Sequence, residues 1–292
     1  MRVCILVLAL LLSNNPADAC NLPHHETAGL TTLNNDLNID WDQADFAVGQ
    51  HQGSWQSITI SGQYAPLDWL ELSIRVPMAN IQVGGQPNRF GLGDMDGGIR
   101  ARLLDVGNGA FQWTVGVNAI APTGNMDHGF GSGHAAITGH TAFNIRLHSD
   151  VFLAGMVQYA GSLEGSGHSH DHSHDHGDGD GIGGSLLAPH GAQELASVLG
   201  LTINTDFGYV GTGAELIYGI QDPVGLGPIN VHLNLGVDLS KAWQIRANMS
   251  LPVTDETRYL WRTNLSLRWT FGDAHDHANK PAEAAGCGCA AP

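Results

Sequence analysis

The segment Ile229-Asn-Val-His-Leu-Asn-Leu-Gly-Val-Asp-Leu239 alternates apolar and polar residues without interruption. Every second position from Ile229 to Leu239 is a branched aliphatic residue, and the positions between them are polar or glycine. A period of two residues is typical of a β-strand with two unlike faces, and no helical stripe fits it. The segment therefore predicts an amphipathic strand of roughly ten residues.

The same alternation recurs along most of the chain. Bacterial outer-membrane barrels have an even number of such strands. We therefore include the segment 37–48 as one of about twelve. In the last predicted strand the aromatic residues gather at the two ends, with Tyr259 on the apolar face, as expected for interfacial girdles. The predicted strands cover residues 37–48, 55–65, 69–78, 95–104, 110–121, 135–147, 151–161, 194–204, 207–219, 229–239, 243–251 and 259–271.

The connections between these strands alternate strictly between short and long. The short ones lie at residues 66–68, 105–109, 148–150, 205–206 and 240–241, and the long ones at 80–94, 122–134, 162–190, 222–226 and 254–257. Outer-membrane barrels have tight turns on the periplasmic side and longer loops outside. This pattern predicts an all-β fold, a transmembrane antiparallel up-and-down β-barrel of about 12 strands over residues 36–271, with loop 162–190 outside.

The polar faces of the strands carry most of the arginines, which argues against a soluble sandwich or lipocalin-like barrel with an apolar interior. In a membrane barrel these arginines face a polar lumen, where we expect them to pair with Glu71, Glu215 and Asp238. The arginines concerned are Arg75, Arg100, Arg102, Arg146, Arg246, Arg258, Arg262 and Arg268.

The two ends of the chain resemble export and tail segments. Residues 1–19 read as a secretory signal peptide, with an A-x-A cleavage site at 17–19 that leaves Cys20 first. Lipidation of Cys20 is an alternative to ordinary cleavage. Residues 20–35 are predicted to be a periplasmic N-terminal segment, and residues 272–292 a flexible periplasmic tail. The expected location is the outer membrane of a Gram-negative-type bacterium.

Net charge and composition exclude several classes of protein. The formal net charge of −16 argues against nucleic acid as a partner, which would need a basic patch. Glycine occurs 39 times, which suits strands and turns better than helices. No serine elbow, phosphate loop or metalloprotease motif is present, so we expect no enzyme activity.

Three stretches resemble the family of outer-membrane transporters named after the meta-pathway of phenol degradation. They are Tyr64-Ala-Pro-Leu-Asp-Trp-Leu-Glu-Leu72, Gly91-Leu-Gly-Asp-Met-Asp-Gly-Gly-Ile-Arg-Ala-Arg-Leu-Leu104, and Ala121-Pro-Thr-Gly-Asn125 followed by Gly131-Ser-Gly133. The resemblance covers about residues 54–271 and implies a barrel with a transport role. The chain departs from the pattern in its His-rich loop and Cys-containing tail.

A histidine tract in the predicted outer loop is a candidate metal site. Histidines recur at every second position with aspartates between them, so in an extended chain the imidazoles lie on one side. Imidazole suits Zn, Cu, Ni and Co, and carboxylate can complete or orient such a site. A low-complexity tract that binds metal only incidentally is the alternative. The candidate ligands are His168, His170, Asp171, His172, His174, Asp175 and His176.

The C-terminal tail repeats this composition. His275 and His277 flank an aspartate, and Cys287 and Cys289 offer two thiolates for Cu(I) or Zn. A flexible tail with incidental thiols is the alternative. His128, His134 and His140, in or beside the loop 121–135, are each expected to be polar loop or lumen residues rather than ligands.

Three functions remain open from the sequence. The first is an outer-membrane channel for a small solute, with an external loop that binds divalent transition metals and no required cofactor. The second is a channel for small organic or aromatic compounds, with the His loop as a metal buffer. The third is a surface protein that sequesters metal without transport. Outer-membrane lipid is an expected partner in each case, and the oligomeric state is left open.

Overall fold

The structure is a computed structural model that describes residues 30–48, 51–125, 128, 130–163, 193–220, 228–254 and 259–271. In this part of the chain no helix is long and apolar enough to cross a membrane. The strands are β1 (Asp36–Val48), β2 (His51–Leu67), β3 (Leu70–Val83), β4 (Arg89–Leu92), β5 (Met95–Val106), β6 (Phe111–Ala121), β7 (Ala136–Arg146), β8 (Val151–Ser162), β9 (Glu194–Thr205), β10 (Gly208–Gly219), β11 (Ile229–Asp238), β12 (Trp243–Pro252) and β13 (Trp261–Thr270).

The strands form one closed antiparallel sheet. Strand β1 pairs with β2 on one side and with β13 on the other, which closes the barrel. Strands β4 and β5 both pair with β3, at residues 78–81 and 70–75 respectively, so together they make one interrupted strand. The 13 strands therefore form a 12-stranded up-and-down barrel, because two of them count as one. This confirms the predicted fold class and the assignment of residues 37–48 to a strand.

The two faces of β11 follow the alternation in the sequence. The side chains of Val231, Leu233 and Leu235 are 42%, 57% and 49% exposed on the outer surface. Asn230 and Asn234, which point inward, are 2% and 0% exposed. An apolar outer face and a polar inner face are what a strand in hydrocarbon requires. The alternative of a soluble barrel with an apolar interior, which the sequence argues against, does not fit this arrangement.

In β1, β2 and β3 the polar and apolar faces exchange near the ends of the strands on the long-loop side. One cross-strand row of outward residues is polar. In this row Gln43 pairs with Gln56, and Gln56 pairs with Asn80. Beyond this row the inward residues are apolar and buried, and they are Ala44, Phe46, Trp55, Ala79, Ile81 and Val83. This part of the wall has the pattern of a water-soluble sheet, so it extends past the apolar band on the side of the long loops.

This reversal corrects the predicted loop at residues 80–94. Strand β3 continues to Val83, and residues 89–92 form β4 against it. The lipid-facing alternation does stop at Met78, because the next outward residue is Asn80. The strand nevertheless goes on, since an apolar inner face stabilises it there instead.

Tyr259 was predicted on the lipid face of the last strand, and this is wrong. Strand β13 begins at Trp261, and Tyr259 lies before it with its ring 7% exposed. Its hydroxyl is 2.9 Å from the Ser250 hydroxyl oxygen. Trp269 at the other end does face outward, stacked on Trp243 with ring centroids 6.0 Å apart, as expected for an interfacial girdle.

A pair of substitutions on neighbouring residues of β11 tests these faces. Leu235→Asp places a charge in the lipid, where an Arg or Lys costs about 2–4 kcal/mol at the bilayer midplane and an Asp somewhat less. Asn234→Asp is the matched control, because the Asn248 amide already donates to the Asn234 side-chain oxygen. We expect Leu235→Asp to lower the yield of folded barrel in vesicles far more than Asn234→Asp does. Equal yields would contradict the assignment of the faces.

Candidate functional site

The seam that closes the barrel carries a column of ion pairs in the lumen. Alternate residues of β1 point inward, and three of them are aspartates. The Asp36 carboxylate lies 2.6 Å from the Arg268 guanidinium, and that of Asp42 lies 3.1 Å from Arg262. Arg246 on β12 approaches Asp40 at 4.0 Å and donates to Asn38. A buried charge is stable only when paired, so these contacts hold β12 and β13 against β1.

A second group of ion pairs lies on β3 and β5. The Arg75 guanidinium is 2.7 Å from the Asp96 carboxylate. Arg100 is 2.9 Å from Glu71, and both carboxylate oxygens accept from it. The prediction that Glu71 pairs with an arginine of the polar faces is therefore confirmed for Arg100. Arg258 lies outside the described residues.

The other two predicted partners make different contacts. Glu215 accepts from the Asn230 amide at 3.0 Å and lies 3.6 Å from the His232 ring. Asp238 accepts from the Gln244 amide at 2.7 Å. Sequence reasoning missed the aspartates of β1, although their spacing of two and four residues on the polar face of a strand was a usable signal.

The described N-terminal residues lie inside the barrel. The Arg100 guanidinium donates to the backbone carbonyls of Leu30 and Thr32, at 2.9 and 2.6 Å. Glu71 accepts from the Asn34 backbone N–H at 2.8 Å, and Thr31 donates to the Gln112 side chain at 2.9 Å. The prediction of a periplasmic segment over residues 20–35 therefore needs correction for residues 30–35. For residues 20–29 it stays a prediction.

The same segment reaches the opposite wall of the lumen. The Leu30 side chain packs against a small apolar cluster on β7, β8 and β9, formed by Ala142, Met156 and Val198. At its other end, Asn35 accepts from the Ala65 backbone N–H at the end of β2. Residues 30–35 thus cross the lumen from the seam side to the far wall.

An apolar cluster, here called the cap, lies at the opposite end of the lumen. Phe130, from the connection between β6 and β7, is 1% exposed. It belongs to one cluster with Tyr259 and the apolar inward residues of β1, β2 and β3. Beneath the cap, the Arg262 guanidinium lies over the Trp55 ring, 5.4 Å from its centroid. The lumen therefore passes from an aromatic mouth to a polar, charge-paired interior.

Asp94 holds the connection that carries Phe130. Its carboxylate accepts from the Gly124 backbone N–H at 2.9 Å, and from the backbone N–H and hydroxyl of Ser132 at 2.7 and 2.9 Å. A Cβ at Gly91 would lie 2.5 Å from the Phe130 ring. The glycine-rich motifs at 91–94 and 121–133 therefore meet in space, and their glycines allow this close approach.

The predicted metal ligands are not brought together by any described contact. The tract His168, His170, Asp171, His172, His174, Asp175 and His176 lies outside the described residues, and so do His275, His277, Cys287 and Cys289. Within the described ranges, no group of three or more His, Cys, Asp or Glu side chains could hold a metal ion. His140 is on β7 in the lumen, where its ring lies against Gly116, so it is not a loop residue.

The chain is similar in fold to several solved outer-membrane proteins. The chain is similar to the COG4313 outer membrane channel from Pseudomonas putida F1, with a TM-score of 0.59 and 13% identity, over 89% of this chain and 100% of that one. The KdgM porin aligns with a TM-score of 0.45 and 11% identity, over 81% and 99%. The NanC porin aligns with a TM-score of 0.47 and 8% identity, over 82% and 99%. No protein-family model and no curated protein sequence matches the chain. The similarity shows an outer-membrane barrel fold, and the resemblance to the phenol meta-pathway family stays a prediction.

The Arg262–Asp42 pair gives a direct test of the seam. Both side chains are 9% exposed, so Arg262→Ala leaves a buried carboxylate without its cation. Breaking such a pair costs about 3–5 kcal/mol, whereas replacing both partners by apolar residues is often neutral or stabilising. We expect Arg262→Ala to lower the free energy of unfolding in urea by about that amount. Arg262→Met with Asp42→Leu should recover most of the loss. A double variant as unstable as the single one would show that the pair does not act as a unit.

Proposed function

We propose that the protein is an outer-membrane channel for a small solute. The observation that carries this proposal is a closed barrel whose outer face is apolar and whose interior is lined by paired charges and amides. A polar lumen can hold water, so it allows a hydrated solute to pass through the barrel. The similarity to a structure described as an outer membrane channel supports the same function.

The aromatic cap favours a second candidate, a channel for small organic solutes. Phe130, Trp55 and Tyr259 form an apolar cluster at the mouth. Aromatic side chains offer faces and edges on which another ring can stack or pack. A solute that displaces Phe130 from this cluster would replace one aromatic contact with another. Small ions gain nothing from such a cluster, so selectivity between the two kinds of solute distinguishes the candidates.

The histidine tract is proposed as a metal-binding part of the outer loop. Residues 168–176 would bind Zn, Cu, Ni or Co through neutral imidazoles, with the aspartates as additional ligands. The tail residues His275, His277, Cys287 and Cys289 would form a second site on the periplasmic side. In a channel, metal bound by this loop would be concentrated at the barrel mouth. A protein that only sequesters metal would need no conducting lumen.

Conductance through the purified protein tests the channel proposal. We expect discrete current steps when the protein is reconstituted in a planar lipid bilayer, with small steps from the full chain because residues 30–35 occupy part of the lumen. A chain that begins at Asn35 should give larger steps. The absence of steps from both proteins, each shown to be folded by heat-modifiable migration in a gel, would leave a sequestration protein as the better proposal.

Calorimetric titration tests the metal proposal. Deletion of residues 167–177 should leave the barrel folded, because shortening a long loop changes its closure entropy little. At pH 7 the deletion should lose most of the bound metal. At about pH 5 the full chain should lose it as well, since free histidine protonates near 6.5 and a protonated imidazole cannot bind metal.

Two control variants separate the loop from the tail. In Cys287→Ser with Cys289→Ser, binding of Zn by the outer loop should persist. The deletion itself should retain whatever binding the tail contributes. An unchanged stoichiometry in the loop deletion would remove the histidine tract from the site.

A further inference from the structure

Residues 30–35 contact the lumen wall in the way that a bound peptide contacts its receptor. We propose that the lumen contains a binding site for a peptide-like chain, that residues 30–35 occupy it as a plug, and that their release opens the channel. The proposal deepens the channel function and rests on it. The site consists of Glu71, Arg100 and Gln112 on one wall and the apolar cluster Ala142, Met156 and Val198 on the other.

The polar half of the site recognises backbone. One guanidinium, that of Arg100, donates to two carbonyls that are two residues apart, Leu30 and Thr32. The neighbouring carboxylate of Glu71 accepts the N–H of Asn34, again two residues further. Residues 30 and 31 lie in a turn and residues 32–35 have no regular secondary structure, so these hydrogen bonds recognise peptide groups without requiring a strand. Binding through main-chain groups gives affinity, and pockets for alternate side chains give specificity.

The apolar half supplies such a pocket. Leu30 is the first described residue of the chain and packs on the cluster of Ala142, Met156 and Val198. This cluster is one of the apolar parts of the lumen wall, and its side chains are 5% exposed or less. The branched aliphatic side chain of Leu30 packs on this cluster, whereas water would make no comparable apolar contact with it. Once residues 30–35 leave, the site therefore fits a short neutral peptide or amide. Its carbonyl would accept from Arg100, and an aliphatic side chain next to that carbonyl would pack on the apolar cluster.

The site is preserved when the plug leaves, because its charges neutralise each other. Arg100 donates to both oxygens of Glu71 independently of the plug, and Gln112 donates to Asp105 at 3.0 Å. Release therefore leaves no unpaired ion in the lumen. The covalent link to β1 holds the segment beside its site at high effective concentration, so individually weak contacts suffice to hold it.

Thiol labelling of the plug tests the proposal without relying on conductance. Thr31 is fully buried beside Gln112, so a thiol at this position is protected while the plug is bound. In a chain with Cys20, Cys287 and Cys289 replaced by serine, Thr31→Cys is labelled with a small water-soluble maleimide. Arg100→Ala with Glu71→Gln removes the guanidinium that donates to the Leu30 and Thr32 carbonyls and the carboxylate that accepts from the Asn34 N–H, and it leaves the net charge of the lumen unchanged. Arg75→Ala with Asp96→Asn is the matched control, because that pair makes no described contact with residues 30–35.

We expect labelling of Thr31→Cys to be at least about tenfold faster with the Arg100 and Glu71 substitutions than with the control pair, since two hydrogen bonds to a charged group are lost. The average current in a planar bilayer should rise in the same variant. Added acetylated peptide amide with the sequence of residues 30–35 should speed labelling in the otherwise unchanged barrel. The same peptide with Leu30→Asp should not.

Three results would overturn the proposal. Equal labelling rates in the two variants, with the full chain conducting, would show that Arg100 does not hold a plug while the channel function stands. Faster labelling without any increase in current would show that the segment is released but does not control the lumen. Equal effects of the two peptides would show that the apolar pocket recognises nothing. Absence of current from every variant would count against the channel function itself.

Discussion

The structure depends on one constraint, which is that every backbone N–H and C=O in hydrocarbon must find a partner within the chain. A sheet meets this requirement only when its first and last strands pair, and here β1 and β13 pair in register from Asp36 to Asp45. The ion pairs of this seam lie on the lumen side, so side-chain charge and backbone hydrogen bonding hold the same two strands. The sequence separation of these partners is greater than 200 residues, as for Arg268 and Asp36 at 232. The seam is therefore the contact that the rest of the chain must fold around.

The reversal of the two faces in β1, β2 and β3 follows from the same physics. In the bilayer the outer face must be apolar, and the inner face is free to be polar. Beyond the bilayer the outer face meets water, and the inner face gains by packing against Phe130 and Tyr259. Each of these strands thus passes from one environment to another along its length. The apolar face changes from outward to inward at Gln43 in β1, Gln56 in β2 and Asn80 in β3, and the period of two continues. The cap and the charge-paired lumen are the two consequences.

Most of the barrel could be predicted from the sequence, because a period of two and alternating loop lengths are local signals. The strand 37–48 and the inward arginines were found in this way. The extension of β3 and the position of Tyr259 were not, since both require knowing where the membrane ends. The aspartate partners of Arg246, Arg262 and Arg268 were missed because pairing across the seam joins distant parts of the chain. No local pattern indicated that residues 30–35 enter the lumen, as their contacts to Arg100 use backbone atoms that any sequence has.

The central claim is that apolar side chains of this barrel face lipid and that this sense reverses in the upper part of the first strands. Spin labels placed singly along β11 and along β1 measure it most directly, through collision with oxygen in lipid and with a nickel chelate in water. Along β11, labels at 231, 233 and 235 should collide with oxygen, and labels at 230, 232 and 234 should not. Along β1, labels at 39 and 41 should collide with oxygen, and labels at 43 and 45 with the chelate. Oxygen contact at the even positions of β11, or at 43 and 45, would contradict the account.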